Sequence, residues 1–262
     1  MPDRADLIYT YDGSFDGLLC CVFTAFERKE RPWSVIPENE CQPSLFDVIY
    51  VETRLDHARR VLRGIRERIS AEAAELVTDG YLCGCQGKEL LILDFLLLGF
   101  SVGRRVTDML GDPTVSKLSN AVRALYNEAH LLRGFVRFSI RDGVKTAVIE
   151  PKNYVLPILA PFFADRFPNE IFLIYDRTHR MALVYRPREW GIMPVESFEQ
   201  PPADEQEQRF RELWRLFYDT IAIKERENPR CRMGHMPKRY WSQLTELNGS
   251  LAERRSIGGR SD

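Results

Sequence analysis

The chain has 262 residues, and its 37 Lys and Arg nearly balance its 38 Asp and Glu. Hydrophobic residues make up 44% and charged residues 29%, a composition that is typical of globular proteins and excludes wholesale disorder and fibrous repeats. The longest apolar run, residues 90–100, is interrupted by Asp94 and is too short to span a bilayer, and no basic-then-apolar leader opens the sequence. We therefore expect a soluble, cytoplasmic protein.

The first 53 residues are acidic, with ten Asp and Glu against four Lys and Arg. They predict a strand over 7–10 and an amphipathic helix over 15–28. The turn between them has Asp12 or Ser14 to cap the helix and Gly13 to allow the sharp change of direction. The rest of this half is predicted as an irregular segment over 33–45, a strand over 47–53 and helices over 54–68, 70–82 and 89–100.

The pattern of predicted helices and strands changes after Asp112. Apolar residues at helical spacing predict one long helix over 114–132. Two pairs of apolar segments, each pair joined by a turn signal, predict two hairpins with a helix between them. The predicted elements are strands 135–140 and 145–150, helix 151–167, and strands 171–176 and 180–185. This β-β-α-β-β unit predicts an α+β fold with a mostly antiparallel central sheet.

Changes in composition along the chain predict its domain organisation. Residues 1–112 form an N-terminal strand-helix region, and residues 113–195 hold the long helix and the β-β-α-β-β unit. Residues 196–207 carry five acidic side chains and no basic one, which predicts an exposed linker. Residues 208–255 are predicted to form C-terminal helices, and the Gly, Arg and Ser tail over 256–262 is predicted to be disordered.

The motifs of common catalytic and metal sites are missing from the sequence. It has no P-loop, no dinucleotide-binding glycine motif, no nucleophile elbow and no zinc-protease motif. The cysteines lack the paired C-x2-C spacing of zinc and iron–sulfur sites, so we expect neither a metal nor a cofactor. Cys20 and Cys21 fall in an apolar helical pattern and are expected in the core, whereas Cys83 and Cys85 are expected to be exposed enough to react.

A first polar cluster stands where the first strand turns into the first helix. It consists of Tyr11, Asp12, Gly13 and Ser14. Free N–H groups at a helix N-terminus bind anions, so this turn is a candidate anion seat. In the alternative interpretation Asp12 and Ser14 only cap the helix, and the charge of Asp12 disfavours a phosphate.

A second cluster lies near the end of the predicted long helix and at the start of the next strand. Glu128, His130 and Arg137 supply a carboxylate, an imidazole and a guanidinium group, which are suited to acid–base chemistry or to phosphate binding. The alternative is that His130 and Arg133 interact with the helix dipole and Glu128 neutralises them. The sequence leaves both interpretations open.

A third cluster, residues 224–241, combines six Lys and Arg with only two Glu. Its candidate nucleic-acid-binding residues are Arg226, Asn228, Arg230, Arg232, His235, Lys238, Arg239, Tyr240 and Trp241. Cations bind phosphates and aromatic faces stack on bases, so this composition suits single-stranded nucleic acid. Alternatively, Tyr240 and Trp241 anchor the last helix to the core.

Three motifs together resemble one bacterial family. They are Tyr11-Asp12-Gly13-Ser14-Phe15, then Glu128-x-His130 with Gly134-Phe135-Val136-Arg137-Phe138, and Asn228 with His235-Met236-Pro237-x-Arg239-Tyr240-Trp241. The chain resembles, over nearly its whole length, the uncharacterised family labelled "probable DNA metabolism protein". The resemblance implies a radical S-adenosylmethionine (SAM) partner for DNA modification or repair, encoded beside the protein. It also implies a link to uracil-DNA glycosylase-like domains, to which some family members are fused.

Two classes of function follow from these observations. The first is a DNA-binding or adaptor protein that acts with the radical SAM partner in DNA repair or modification. The second is an enzyme that acts on a nucleic-acid base or phosphodiester with Glu128, His130 and Arg137. A purely structural subunit of the complex is a third hypothesis. The near-neutral net charge counts against tight binding of DNA by the chain alone, although a local basic cluster can suffice.

Overall fold

The computed structural model describes residues 4–141, 143–198, 208–209, 211–214, 216, 220, 233 and 236–245. The chain divides into two compact units, Met1–Leu125 and Tyr126–Asp262. Residues 199–207 of the predicted acidic linker and the whole predicted tail, 256–262, lie outside the described residues. Among the described helices, none combines the length and the hydropathy that crossing a bilayer requires.

A three-stranded parallel sheet opens the N-terminal unit. Its strands are β1 (Arg4–Tyr11), β2 (Arg31–Pro37) and β3 (Asp47–Tyr50), in the spatial order β2-β1-β3. Helix α1 (Phe15–Arg28) connects β1 to β2 and has the predicted bounds. The prediction that 33–45 is irregular is wrong at its start, where β2 lies. Pro32 and Pro37 obscured the strand signal, and they are tolerated because β2 is an edge strand.

The other helices of this unit contribute to its hydrophobic core. They are α2 (Leu55–Gly64), which runs into a π-helical turn (Ile65–Ile69), then α3 (Ala71–Leu82) and α4 (Lys88–Val102), followed by a 3₁₀ helix (Gly103–Asp108). Asp94, which interrupts the apolar run of α4, forms a bidentate ion pair with Arg31 of β2 at 2.6 Å. As predicted, Cys20 and Cys21 are buried in this core.

Helix α5 (Pro113–Phe135) spans the boundary between the two units. It begins with a proline at its first position, and the carboxylate of Asp112 accepts from the backbone N–H groups of Thr114 and Val115 at 2.8 and 3.2 Å. The helix continues three residues beyond its predicted end. Glu128 and His130 therefore both lie within regular helix.

The C-terminal unit is built on a five-stranded sheet in the order β4-β5-β6-β7-β8. Its strands and the helix between them are β4 (Ser139–Arg141), β5 (Val144–Ile149), α6 (Leu156–Arg166), β6 (Ile171–Asp176), β7 (Met181–Arg186) and β8 (Glu189–Pro194). Both predicted hairpins and the α+β class are confirmed. The strand β8 was not predicted. The central pair β5 and β6 is parallel, so Ile149 and Asp176, the last residues of these strands, lie side by side.

Candidate functional site

The carboxylate of Glu128 is the centre of a buried polar cluster in the C-terminal unit. Glu128 is only 3% exposed, and its side chain projects from α5 toward the loop that follows β5. There the carboxylate accepts hydrogen bonds from the backbone N–H groups of Lys152 at 3.0 Å and Asn153 at 2.8 Å. It also accepts one from the side-chain amide of Asn153 at 2.7 Å. Glu128 thus connects this loop to α5.

The same carboxylate also binds the C-terminal 3₁₀ helix, Lys238–Gln243. Arg239 Nη2 lies 2.7 Å from Glu128 Oε1, and the Tyr240 hydroxyl donates to the same oxygen at 3.0 Å. Tyr240 is 2% exposed, and its ring packs against Phe135 at a centroid distance of 5.5 Å. Burial, together with the charge of Glu128, raises the pKa of Tyr240 to about 12 against the opposing effect of Arg239, so the phenol remains a donor.

These contacts join two clusters that the sequence presented as separate. Glu128 belongs to the predicted catalytic trio, whereas Arg239 and Tyr240 belong to the predicted nucleic-acid-binding segment. A carboxylate that accepts from backbone amides, a side-chain amide, a guanidinium and a phenol has its lone pairs occupied. In this arrangement Glu128 stabilises the packing of two segments of the chain, and its catalytic role stays a prediction.

The other two members of the predicted trio are His130 and Arg137. His130 is exposed, and it is two positions from Glu128 on a continuous helix, where side chains do not share a face. Arg137 Nη1 donates to the backbone carbonyl of Gly134 at 2.7 Å, which fastens the guanidinium to the end of α5. The structure thus does not bring Glu128 and His130 together.

Sequence reasoning missed a pair of side chains at the turn between β6 and β7. Asp176, the last residue of β6, is fully buried, and its Oδ2 lies 2.6 Å from His179 Nδ1. Its other oxygen accepts the backbone N–H of His179 at 3.1 Å. A carboxylate at Nδ1 orients an imidazole and leaves Nε2 as the nitrogen for proton transfer, an arrangement used in acid–base catalysis. The only sign of this pair in the sequence is an Asp-x-x-His pattern at the turn between two predicted strands.

The loop after β5 links the Asp176–His179 pair to the Glu128 cluster. Asn153, which Glu128 binds, is followed by Tyr154, whose ring lies 5.4 Å from the imidazole of His179. Burial and, to a smaller extent, the charge of Asp176 raise the pKa of Tyr154. The two groups of polar residues therefore share one short segment of chain.

The third cluster, residues 224–241, is called the basic-aromatic segment below. Its described part places a cation beside an indole. Lys238 is exposed and its Nζ lies 6.0 Å from the ring centroid of Trp241. Trp241 Nε1 donates to the Met236 carbonyl at 2.9 Å, which fixes the ring. Arg239 and Tyr240 bind Glu128, as described above. The other candidates, Arg226, Asn228, Arg230, Arg232 and His235, lie outside the described residues.

At the candidate anion seat, Ser14 and Gly17 use their donors for hydrogen bonds within the turn. Asp12 accepts from the backbone N–H of Ser14 at 2.9 Å and from its hydroxyl at 2.7 Å, and Ser14 Oγ accepts from Gly17 N at 2.9 Å. Burial raises the pKa of Asp12, but the hydrogen bonds from Ser14 outweigh it and lower the pKa overall. The resulting anion at the helix start favours the capping interpretation over phosphate binding.

Cys83 and Cys85 are less accessible than the sequence indicated. Cys83 is 1% exposed, and burial raises its pKa to about 12. Burial also raises the pKa of Cys85. Both side chains are therefore neutral thiols near pH 7, which corrects the expectation of reactivity at Cys83. Within the described ranges, no group of three or more His, Cys, Asp or Glu side chains is arranged to hold a metal ion.

Comparison with known proteins identifies a family and no activity. The family model described as a domain of unknown function, DUF4130, matches residues 86–246, which is more than half of the chain. No curated protein matches the sequence. Among solved structures, a pGpG-specific phosphodiesterase, PggH, from Vibrio cholerae aligns at 9% identity with a TM-score of 0.29, over 68% of this chain and 81% of that one. A likeness at this level carries no argument about function.

Proposed function

We propose that this chain, which belongs to the DUF4130 family, is a DNA-binding protein that acts with a radical SAM partner in DNA repair or modification. The observation that carries the proposal is the contact of the Glu128 carboxylate with Arg239 and Tyr240. This contact anchors the C-terminal end of the basic-aromatic segment, residues 224–241, to the folded C-terminal unit. An anchored segment binds with a smaller loss of conformational entropy than a free one.

The anchored segment offers the two groups that single-stranded DNA requires. The ammonium group of Lys238 can neutralise a phosphate, and the indole of Trp241, held by its bond to Met236, offers a face for base stacking. Tyr240 is buried and therefore contributes through the anchor instead of through stacking. Further cations come from Arg226, Arg230 and Arg232 in the sequence.

The proposed partners rest on the family resemblance. They are a radical SAM protein for DNA modification or repair and, in a second association, a uracil-DNA glycosylase-like protein. Co-expression of this chain with the protein encoded beside it, followed by size-exclusion chromatography, tests the first partner. Co-elution supports the adaptor role, and separate elution of both folded proteins contradicts it.

DNA binding by the chain itself is tested by fluorescence anisotropy with labelled single-stranded and duplex oligonucleotides over a range of salt concentrations. We expect binding at low salt that weakens as salt rises, with a preference for the single strand. The absence of binding at low salt contradicts the proposal. Together with intact partner binding, that result favours the purely structural subunit.

One observation favours a second function, an enzyme that acts on a nucleic-acid base or phosphodiester. The buried carboxylate of Asp176 holds the imidazole of His179, which retains 26% side-chain exposure, beside Tyr154. This pair has the geometry of a general base, whereas Glu128 is already saturated with donors. Incubation of the chain and its partner with labelled oligonucleotides, with gel analysis of the products, tests this function.

A further inference from the structure

A concentration of positive charge lies on α2 and on the π-helical turn that follows it. These two elements, Leu55–Gly64 and Ile65–Ile69, contain five arginines against one aspartate and one glutamate. The first 53 residues, in contrast, have ten Asp and Glu against four Lys and Arg. The chain thus has a local basic surface although its net charge is close to zero, and such a surface attracts polyanions.

Three of the arginines, Arg59, Arg63 and Arg66, form a row along this helical segment, which we call the arginine row. Arg59 and Arg63 are four positions apart and Arg63 and Arg66 are three apart, the spacings at which helical side chains are neighbours. All three are exposed, and among the described residues none of the three side chains has a hydrogen-bond or ion-pair partner. Their guanidinium groups therefore keep their N–H donors for an external anion.

The two carboxylates of this segment do not pair with the arginine row in the described structure. Asp56 Oδ2 lies 3.1 Å from Arg54 Nη2 and 3.7 Å from His57 Nε2, at the start of α2. Glu67, in the π-helical turn, lines a groove beside the row. The positive charge of the row is therefore available to a ligand.

The groove has a volume of about 640 Å³, and its charged lining is Arg60, Arg63 and Arg68 together with Glu27 and Glu67. Arg63 belongs both to the groove and to the arginine row, so the row continues into a concave surface. Three cations against two carboxylates leave the groove positive. A guanidinium group binds a phosphate through two parallel hydrogen bonds, which a groove of this charge favours.

Aromatic rings also line the groove, but they are engaged within the protein. Phe23 stacks on His57 at a centroid distance of 3.9 Å, and Arg60 Cζ lies 5.6 Å from the centroid of Phe23. Phe26 and Phe100 pack edge to face at 5.0 Å. Single-stranded DNA binds through bases that stack on free aromatic faces, whereas a duplex can be bound through its backbone alone. The arrangement therefore favours the backbone of a duplex.

The buried side of the segment argues against a lipid surface as the partner. Ala58, Val61, Ile65 and Ile69 are buried in the core of the N-terminal unit. A helix that lies on a membrane inserts its apolar face into the lipid, and here that face is packed inside the protein. The arginine row spans about 10 Å at a rise of about 1.5 Å per residue. It matches duplex DNA, which carries one negative charge about every 1.7 Å along its axis.

We propose that the arginine row binds the phosphates of duplex DNA, so that the N-terminal unit carries a second DNA-binding surface besides the basic-aromatic segment. Arg60 and Arg68 add cations in the groove beside the row. Contacts with phosphates carry no base information, so this binding is independent of sequence. The inference rests on the proposed function for the choice of DNA as the polyanion, but its residues and its ligand, the duplex, are different.

Fluorescence anisotropy of the full chain with a labelled blunt-ended duplex, over a range of salt concentrations, tests the proposal. The triple variant Arg59→Ala, Arg63→Ala and Arg66→Ala should lower the slope of log K against log salt by about three, because each phosphate contact contributes about 0.9. Its duplex affinity at low salt should fall at least about tenfold. Since the three side chains are exposed, its melting temperature should stay close to that of the original chain.

A matched triple variant, Lys117→Ala, Arg123→Ala and Arg166→Ala, removes the same charge at exposed positions of α5 and α6. It should leave the duplex slope unchanged. An equal loss in both triple variants overturns the proposal, because the effect then follows from net charge alone. Absence of duplex binding at low salt also overturns it, and so does binding to phosphatidylserine vesicles in place of the duplex.

A single-stranded oligonucleotide separates this inference from the proposed function. Trp241→Ala should leave the duplex affinity unchanged, because paired bases do not stack on an indole. Duplex binding that requires the arginine row, without single-strand binding, supports the inference and contradicts the DNA-binding role of the basic-aromatic segment. Single-strand binding without duplex binding overturns the inference and leaves the proposed function intact.

Discussion

Glu128 and Arg239 are 111 residues apart in the sequence, yet Arg239 Nη2 and Glu128 Oε1 form an ion pair at 2.7 Å. The carboxylate is buried, whereas the guanidinium retains 35% exposure. The pair connects the long helix α5 to the C-terminal 3₁₀ helix. It therefore links the stability of the C-terminal unit to the placement of the basic-aromatic segment.

Glu128→Gln should lower the free energy of unfolding by about 2 kcal/mol, because Arg239 and the amide donors at Lys152 and Asn153 lose a shared anion. Urea unfolding of the full chain measures the change. Glu75→Gln is the control, since Glu75 is exposed, and it should change stability by less than about 0.5 kcal/mol. Equal stability of the two variants would show that Glu128 is not an anchor.

His179→Ala and His130→Ala should separate the two candidate acid–base sites. If the chain is an enzyme, His179→Ala should reduce the activity of the chain and its partner at least about tenfold, the order expected for a general base. His130→Ala, at an exposed position, should leave both activity and melting temperature nearly unchanged. Loss of activity in His130→Ala, without loss of stability, would instead restore the trio of Glu128, His130 and Arg137.

Glu89 should make stability depend on pH in the mildly acidic range. Burial raises its pKa in the folded chain, so the folded state prefers the protonated form more than the unfolded state does. The stabilisation is present below the unfolded pKa of Glu and is lost as the pH rises through the folded value. Glu89→Gln should therefore raise the melting temperature near pH 7 and have little effect near pH 4. An equal effect at both pH values would contradict this explanation.

Gly17→Ala should destabilise the N-terminal unit. An added Cβ would lie 2.3 Å from Asp12 Oδ1 and 2.8 Å from Tyr11 Cδ2, in a buried part of α1. The expected loss is about 1–3 kcal/mol. Gly134→Ala is the control, because a Cβ there meets nothing within 4 Å in the described structure, and it should be neutral or stabilising by up to about 1 kcal/mol. Thermal unfolding of both variants measures the difference.

Local patterns were enough to predict the elements with strong periodicity or clear ends. Helix α1 has its predicted bounds because Ser14 caps it, and both hairpins lie where alternating segments flank a turn. Strand β2 was missed because its prolines mask the alternation, although an edge strand tolerates them. Local sequence patterns therefore predicted the positions of helices and strands better than they predicted which elements pack together.

The candidate sites were harder to predict because they depend on contacts between distant residues. No local signal indicates that Arg239 reaches Glu128, or that the Asp-x-x-His at the end of β6 places a buried carboxylate against an imidazole. Burial also changed the meaning of single residues. Tyr240 belongs to a basic-aromatic segment in the sequence, but in the fold its hydroxyl binds a carboxylate in the interior.

The most direct test of the DNA-binding proposal is the salt dependence of single-stranded DNA affinity for Lys238→Ala and Trp241→Ala, measured by fluorescence anisotropy. Lys238→Ala should lower the slope of log K against log salt by about one, because one phosphate contact is lost. Trp241→Ala should weaken binding by about 1 kcal/mol or more with little change in slope, because stacking is lost. Lys117→Ala, at an exposed lysine on α5, is the control and should match the original chain. Unchanged slope and affinity in both variants would contradict the assignment of DNA binding to this segment.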